Sequence, residues 1–208
     1  MKIEKQFGNY SFVLPSELQL SLEQNNGVIT TTQANKIGIS NERLRLLVKD
    51  GKLKQASYGI YMLPSEFVDE MYIVQQRKTK IIYSHDTALY LNDLTDRDPL
   101  NYVVTVPAGY NSIKLRDTDF TIFTIKKELH KVGITQLKTI FGNNVITYGM
   151  ERTICDCLRS RNQMDIGIIT DAVKRYVRRK DKDLNTLMQM AEIFQVTKLI
   201  RSYLEVLL

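Results

Sequence analysis

The stretch TTTQANKIGISNERLRLLVKDGKLKQASYGIY, residues 30–61, restricts the fold more than any other part of the sequence. It predicts a short helix that Thr31 or Thr32 caps, a turn at Gly38, and a second helix that begins after Ser40, a favourable N-cap residue. The second helix has an apolar face at helical spacing, formed by Leu44, Leu47 and Val48. Residues 52–56 and 60–63 then predict two strands joined by a tight turn. This order of elements predicts a winged helix-turn-helix.

Basic side chains along the second helix and the strands indicate a polyanionic partner. Residues 1–63 hold eight Lys and Arg against five Asp and Glu, and DNA readers neutralise phosphates with such side chains. We expect the start of the second helix to lie near base edges and the tip of the wing near the backbone or minor groove. The alternative is a winged helix that binds only proteins. The residues expected at DNA are Ser40, Asn41, Arg43, Arg45, Lys49, Lys52, Lys54, Ser57 and Tyr58.

The composition of the 208 residues is that of a globular protein with a net charge of +6. No apolar run approaches the ~18 residues that span a membrane, and the first 15 residues lack the apolar region of a secretory signal. We therefore expect a cytoplasmic protein. Cys155 and Cys157, two positions apart on a predicted helix, neither bridge nor chelate. With two histidines in the chain and no spaced ligand cluster, we expect no metal and no cofactor.

We divide the chain at Pro64 into a DNA-binding domain, residues 1–63, and a second domain, residues 64–208. In the second domain, residues 81–83, 101–106, 119–125 and 144–147 have strand patterns, and helical patterns run to the C-terminus from residue 164. The predicted fold class is α+β. It consists of the N-terminal winged helix-turn-helix and a C-terminal α+β domain with a small mixed sheet, flanking helices and a helical C-terminus.

Three clusters of the second domain contain reactive or charged residue types. Ser84-His85-Asp86 contains the residue types of a catalytic triad, but adjacent helical residues fan out, so we expect a helix cap with a partly exposed His. Arg152 and Asp156 are spaced i, i+4, which predicts a surface or interdomain ion pair. A basic run near the C-terminus is either a solvated face or a second phosphate-contacting surface. That surface would comprise Lys126, Lys127, Lys174, Arg175, Arg178, Arg179 and Lys180.

Several motifs resemble those of AbiEi-type antitoxins. They are Gly38-Ile39-Ser40, Arg43-Leu44, the segment 47–53 and Tyr58-Gly59-Ile60-Tyr61 in the first domain, and the segments 84–89, 102–107 and 151–156 in the second. They occur in the family's order and cover most of the chain. The resemblance implies a type IV toxin–antitoxin system linked to abortive phage infection. It also makes Ser84, His85, Glu151, Arg152 and Asp156 candidates for antitoxicity.

In that family the winged helix represses the operon of antitoxin and toxin, and the C-terminal domain counters a nucleotidyltransferase-like toxin, AbiEii, without a stable complex. The resemblance thus implies an antitoxin and autorepressor. Because the sequence has no Gly-rich phosphate loop and no spaced His, Cys or carboxylate cluster, we also expect that it is not an enzyme. We expect double-stranded DNA with inverted repeats in its own promoter as the partner, bound cooperatively by a chain that is monomeric in solution. Two alternatives stay open, a nucleic-acid- or toxin-modifying enzyme and a ligand-sensing regulator with an apolar pocket.

Overall fold

The computed structural model describes residues 14–111 and 120–207. The expectation about a secretory signal concerns the first 15 residues, which lie mostly outside the described residues. The chain divides into two compact units, Met1–Val68, here unit 1, and Asp69–Leu208, here unit 2. The functional boundary at Pro64 stays a prediction. Within the described residues, no helix has the length and apolar character that crossing a membrane requires.

The described part of unit 1 alternates helices with short strands. Its elements are α1 (Ser16–Gln24), β1 (Val28–Thr30), α2 (Thr31–Lys36), α3 (Asn41–Lys49), β2 (Lys54–Ser57) and β3 (Ile60–Met62). The strands form an antiparallel sheet in the order β1-β3-β2. Strands β2 and β3 with the turn between them are the wing. The arrangement confirms the predicted winged helix-turn-helix, and the wing turn is shorter than predicted because Ser57 still belongs to β2.

Hydrogen-bonded caps set the start of both helices in the helix-turn-helix. The N-cap of α2 is Thr30, whose hydroxyl accepts from the backbone N–H of Gln33 at 3.2 Å. The prediction of Thr31 or Thr32 was wrong by one or two residues, because the extended end of β1 places Thr30 at the cap. Ser40 caps α3 as predicted, accepting from the backbone N–H of Arg43 at 3.2 Å. Leu44 and Leu47 of α3 are buried in the apolar core of unit 1.

Unit 2 combines a mixed sheet with several helices. Its described elements are α4 (Glu70–Arg77), β4 (Ile82–Tyr83), α5 (His85–Leu91), β5 (Val103–Pro107), β6 (Thr121–Ile125), α6 (Lys127–His130), β7 (Ile134–Lys138), β8 (Asn144–Tyr148), α7 (Met150–Arg159), α8 (Ile166–Arg178), α9 (Leu184–Ile193) and α10 (Thr197–Leu207). The strand order is β6-β5-β4-β8-β7. The pairs β5–β6 and β4–β8 are parallel, and the other two pairs are antiparallel. The α+β class with a mixed sheet and a helical C-terminus is confirmed.

The main core of unit 2 is built from helices. Apolar residues of α5 and α7–α10 form one buried cluster, which includes Leu158, Ile169, Tyr176 and Phe194. Cys155 and Cys157 are buried in α7, and burial raises the pKa of both thiols. They therefore pack as small apolar side chains, as the sequence indicates.

Candidate nucleic-acid interface

The helix-turn-helix presents the first two turns of α3 on the surface of unit 1. Leu44 and Leu47 are buried in the core, whereas Asn41 and Arg45 are exposed. These two residues are spaced i, i+4 and therefore lie one above the other on a single face. The N-terminal residues of a recognition helix are those that reach base edges in the major groove.

A groove of about 320 Å³ brings this face of α3 together with the wing. Asn41 and Arg45 line one side, and Gln55 and Tyr58 contribute from the wing. Tyr58 stands at the wing tip and is 85% exposed. Guanidinium groups donate to base edges, and side-chain amides both donate and accept. These patterns distinguish base pairs, with Arg pairing guanine and Asn or Gln pairing adenine. The groove therefore offers the chemistry of direct base recognition.

The wing tip is fixed against the start of α2. The backbone N–H of Thr31 donates to the carbonyl of Gly59 at 2.9 Å. A Cβ atom at Gly59 would lie 3.3 Å from the Thr31 hydroxyl, and Gly59 has a φ of +73°. Both the close approach and the left-handed conformation favour glycine at this position. The backbone of the wing tip is thus joined to the start of α2.

The predicted DNA residues do not all share the same environment. Asn41, Arg45, Lys49, Lys52 and Tyr58 are exposed, whereas Arg43 and Ser57 are partly buried. The Ser40 hydroxyl is engaged in capping α3. Lys54 differs most, because its ammonium donates to the carbonyls of Pro64 and Glu66 at 3.2 and 2.6 Å. That side chain ties the wing to the segment after β3.

Sequence reasoning missed Gln55, Thr31 and Tyr61, which also line the groove. The signal for Gln55 was present, since it alternates with Lys54 and Ala56 along a predicted strand and falls on the exposed side. No local pattern marks Thr31 or Tyr61. They reach the groove because β1 pairs with β3 and leads directly into α2.

The second basic region is partly neutralised. Arg175 on α8 forms ion pairs with Asp96 and Asp171, and Arg179 pairs with Asp181 at 2.8 Å. Lys174, Arg178 and Lys180 are exposed, and no ion pair within residues 14–111 and 120–207 includes them. Lys126 and Lys127 are exposed where β6 leads into α6.

His85 is buried, at 1% exposure, so the prediction of a partly exposed His was wrong. Its Nδ1 lies 3.0 Å from the Ser84 hydroxyl, its Nε2 lies 3.0 Å from the Ser160 hydroxyl, and its ring stacks on Phe123. Ser84 occupies the cap position of α5, but its hydroxyl accepts from Thr105 at 2.9 Å and makes no capping bond.

This arrangement gives His85 a structural role. Burial lowers the pKa of His85 to about 3, with smaller contributions from the charges of Arg159 and Arg152. Both ring nitrogens contact serine hydroxyls, so no carboxylate orients the ring as in a catalytic triad. The imidazole is therefore neutral at physiological pH. Within the described residues, no group of three His, Cys, Asp or Glu side chains is suited to hold a metal ion.

Arg152 and Asp156 form a buried ion pair, so the prediction of a surface or interdomain pair was wrong. The Arg152 guanidinium donates to Asp156 at 2.8 Å and lies about 4 Å from the ring centroids of Tyr148 and Phe194. Burial raises the pKa of Asp156, and Arg152 opposes that shift. The rings and backbone of neighbouring elements cover the pair, which helical spacing alone could not reveal.

Four of the five candidates for antitoxicity lie in the interior of unit 2. They are Ser84, His85, Arg152 and Asp156. Glu151 is partly buried, and its carboxylate accepts from the Tyr176 hydroxyl at 3.0 Å. The four buried side chains are not exposed for contact with a partner. Their role in antitoxicity stays a prediction.

Comparison with known proteins finds a family match for part of unit 1. Residues 16–64 match the family model of the transcriptional regulators known as AbiEi antitoxins. No curated protein matches the sequence. The fold is similar to that in a crystal structure of the RV2827C protein from Mycobacterium tuberculosis, with a TM-score of 0.54 and 12% sequence identity. The match covers 86% of this chain and 72% of the RV2827C chain. At that identity the likeness concerns the fold alone. The segment 16–64 of this chain is therefore similar to the AbiEi antitoxin family of transcriptional regulators.

Proposed function

We propose that the chain is the antitoxin of a type IV toxin–antitoxin system and the repressor of its own operon. Unit 1 binds double-stranded operator DNA, and unit 2 counters a nucleotidyltransferase-like toxin without forming a stable complex with it. The observation that carries the DNA-binding part is the groove that joins Asn41 and Arg45 of α3 to Gln55 and Tyr58 of the wing.

The charge around this groove supports DNA as the ligand. Arg45, Lys49 and Lys52 are all exposed on or just after α3, and such side chains neutralise phosphates on either side of the bases that are read. The lining of the groove contains no Asp or Glu among the described residues. We assign base contacts to Asn41, Arg45 and Gln55, and backbone or minor-groove contacts to Tyr58, Lys49 and Lys52. We leave Lys54 out, since backbone carbonyls hold its ammonium.

The operator we propose consists of inverted repeats in the chain's own promoter. A nine-residue recognition helix contacts only a few base pairs, so one copy has limited affinity and specificity. Two copies that bind adjacent repeats cooperatively, with or without DNA bending, supply the additional affinity and specificity. The protein is then a monomer in solution that pairs on the operator.

The antitoxin assignment for unit 2 is supported by the family of the segment 16–64 and by the resemblance of three motifs in unit 2. Because Arg152 and Asp156 are buried, we assign the motif that contains them a structural role instead of direct contact with the toxin. In our proposal they hold the fold that exposes the active surface, and the exposed residues of unit 2 counter the toxin.

The test separates repression from antitoxicity with one substitution, Arg45→Ala. We expect the dissociation constant for the promoter fragment to rise at least about tenfold, in line with the loss of one base-reading Arg. Rescue of growth from the neighbouring toxin should remain intact. Arg201→Ala is the matched control, since it removes the same exposed side chain from α10. Loss of both activities in a folded Arg45→Ala protein would contradict the division of labour between the units.

A further inference from the structure

One buried carboxylate fixes the loop between β7 and β8. We call this loop, Thr139–Asn143, the presenting loop. Asp69 is 2% exposed, and its Oδ2 accepts from the Thr139 hydroxyl and from the Asn143 amide at 2.9 Å. Its Oδ1 accepts from the backbone N–H of Tyr72 at 3.1 Å, at the first turn of α4. Because both ends of the presenting loop bind the same carboxylate, its conformation is set before any partner arrives.

This rigid loop exposes apolar side chains. Ile140 is 78% exposed and Phe141 is 42% exposed. Single exposed apolar residues are common on protein surfaces. Two adjacent ones on a loop that buried hydrogen bonds hold in place form a small apolar patch that a partner could cover without reordering the loop.

A cavity of about 80 Å³ lies beside the presenting loop. Its lining includes three aromatic rings, from Tyr90, Tyr102 and Phe141, and the carboxylates of Asp69 and Asp98. The volume is far below the roughly 300–1,000 Å³ of small-molecule pockets, so the cavity admits one side chain and excludes a nucleotide.

The charge at the cavity favours a cation. Burial raises the pKa of Tyr102, and the negative charges of Glu70, Asp69 and Asp98 raise it further. No Lys or Arg contributes to the lining among the described residues. Aromatic faces attract cations through their quadrupole, and the nearby carboxylates add to that attraction. The same carboxylates repel phosphate, which separates this site from any nucleic-acid surface.

We propose that this cavity binds an arginine side chain of a partner protein, with apolar neighbours of that arginine packing on Ile140 and Phe141. Arginine suits the site better than lysine, because its planar guanidinium stacks on aromatic rings and pairs with a carboxylate through two hydrogen bonds. Asp98 is exposed and is the carboxylate open to such pairing, whereas Asp69 is occupied by the presenting loop. The site does not depend on DNA binding by unit 1.

The test uses the full-length protein and two short probes, acetyl-Leu-Arg-Leu-amide and its citrulline counterpart, which has the same shape without the charge. Binding is followed through the NMR signals of Tyr102 and Phe141. We expect the arginine peptide to bind at least about tenfold more tightly than the citrulline peptide. Asp98→Asn should weaken the arginine peptide about fivefold or more, and Phe141→Ala should weaken both peptides. Asp171→Asn, an exposed carboxylate on α8, should change neither.

Equal binding of the two peptides, or unchanged affinity in Asp98→Asn, would overturn the proposal. Another occupant is a second copy of this chain. If neither peptide binds while Asp98→Asn abolishes self-association in sedimentation velocity, the cavity serves that contact, and the separate partner is excluded.

Discussion

The Nε atom of Arg152 donates to Oδ2 of Asp156 at 2.8 Å, and both side chains are 1% exposed. Two further bonds from Nη1 of Arg152 reach the carbonyls of Leu129 and Val132 at 3.0 and 2.6 Å. One arginine of α7 therefore binds its own helix, α6 and the segment between α6 and β7. The pair is a structural anchor of unit 2.

Removing the carboxylate should destabilise the protein strongly. In Asp156→Ala the guanidinium of Arg152 stays buried without its counter-ion, which typically costs about 3–5 kcal/mol. The measurement is the free energy of unfolding in urea. Asp171→Ala is the matched control, since Asp171 also pairs with an arginine at i+4, but on the surface. Solvent screens that pair, so we expect little change. An equal fall in the free energy of unfolding in the two variants would show that the buried Arg152–Asp156 pair stabilises the protein no more than the surface pair.

His85 should stay neutral across the physiological range. Its ring signals in NMR are expected to show no titration between pH 8 and pH 5, because burial lowers its pKa to about 3. A midpoint near 6.5 would contradict the buried environment. The nitrogen shifts should report a proton on one ring nitrogen only, as expected for a neutral imidazole between two serine hydroxyls.

The His85 imidazole also makes the stability of the protein dependent on pH. The folded-state pKa of His85 is below the unfolded value of about 6.5, so its contribution is complete above pH 6.5 and is lost as the pH falls toward 3. At ~1.4 kcal/mol per pKa unit, the free energy of unfolding falls by at most about 5 kcal/mol from this residue. Urea unfolding of the wild type and of His85→Gln at several pH values tests this. A fall with the same slope in both proteins would assign the effect to other groups.

Gly133 should tolerate no side chain. A Cβ atom there would lie 2.7 Å from Cβ of Arg152, and the φ of Gly133 is +74°. Gly133→Ala therefore combines backbone strain with a clash against the buried anchor. Gly51→Ala is the control, since Gly51 has a φ of +68° and no atom within 4 Å of the added Cβ. We expect Gly51→Ala to cost about 1 kcal/mol and Gly133→Ala clearly more, measured by thermal unfolding. A similar loss of stability in both variants would show that Arg152 can shift to make room for the added Cβ atom.

The exposed bases of the second basic region should contribute to DNA affinity without sequence preference. Replacing Lys174, Arg178 and Lys180 by Glu is expected to weaken operator and unrelated DNA alike. The slope of log affinity against log salt should become shallower by roughly one for each phosphate that these bases no longer neutralise. Arg175 and Arg179 are left unchanged because acidic partners hold them. Unchanged affinity and slope in gel-shift titrations would show that these bases are only a solvated face.

Local sequence patterns predicted unit 1 almost completely. Ser40, the Gly38 turn and the spacing of Leu44 and Leu47 specify α3 through interactions within a few residues, so the winged helix-turn-helix could be read directly. In unit 2, β7 was missed, since none of its residues is buried and its sequence lacks a clear apolar alternation. An edge strand of this kind forms because β8 offers it a partner.

The sequence by itself determined the order of elements in unit 1, the α+β class and the exposed bases of α3, because capping, turn formation and apolar spacing act over short distances. Tertiary structure alone decided that Gln55 joins Asn41 and Arg45 in one groove, and that His85 and the Arg152–Asp156 pair are interior. Burial and side-chain partners depend on which distant segments pack over a residue. Charge and spacing therefore predict that Arg152 and Asp156 pair, and only the packed fold places the pair away from water.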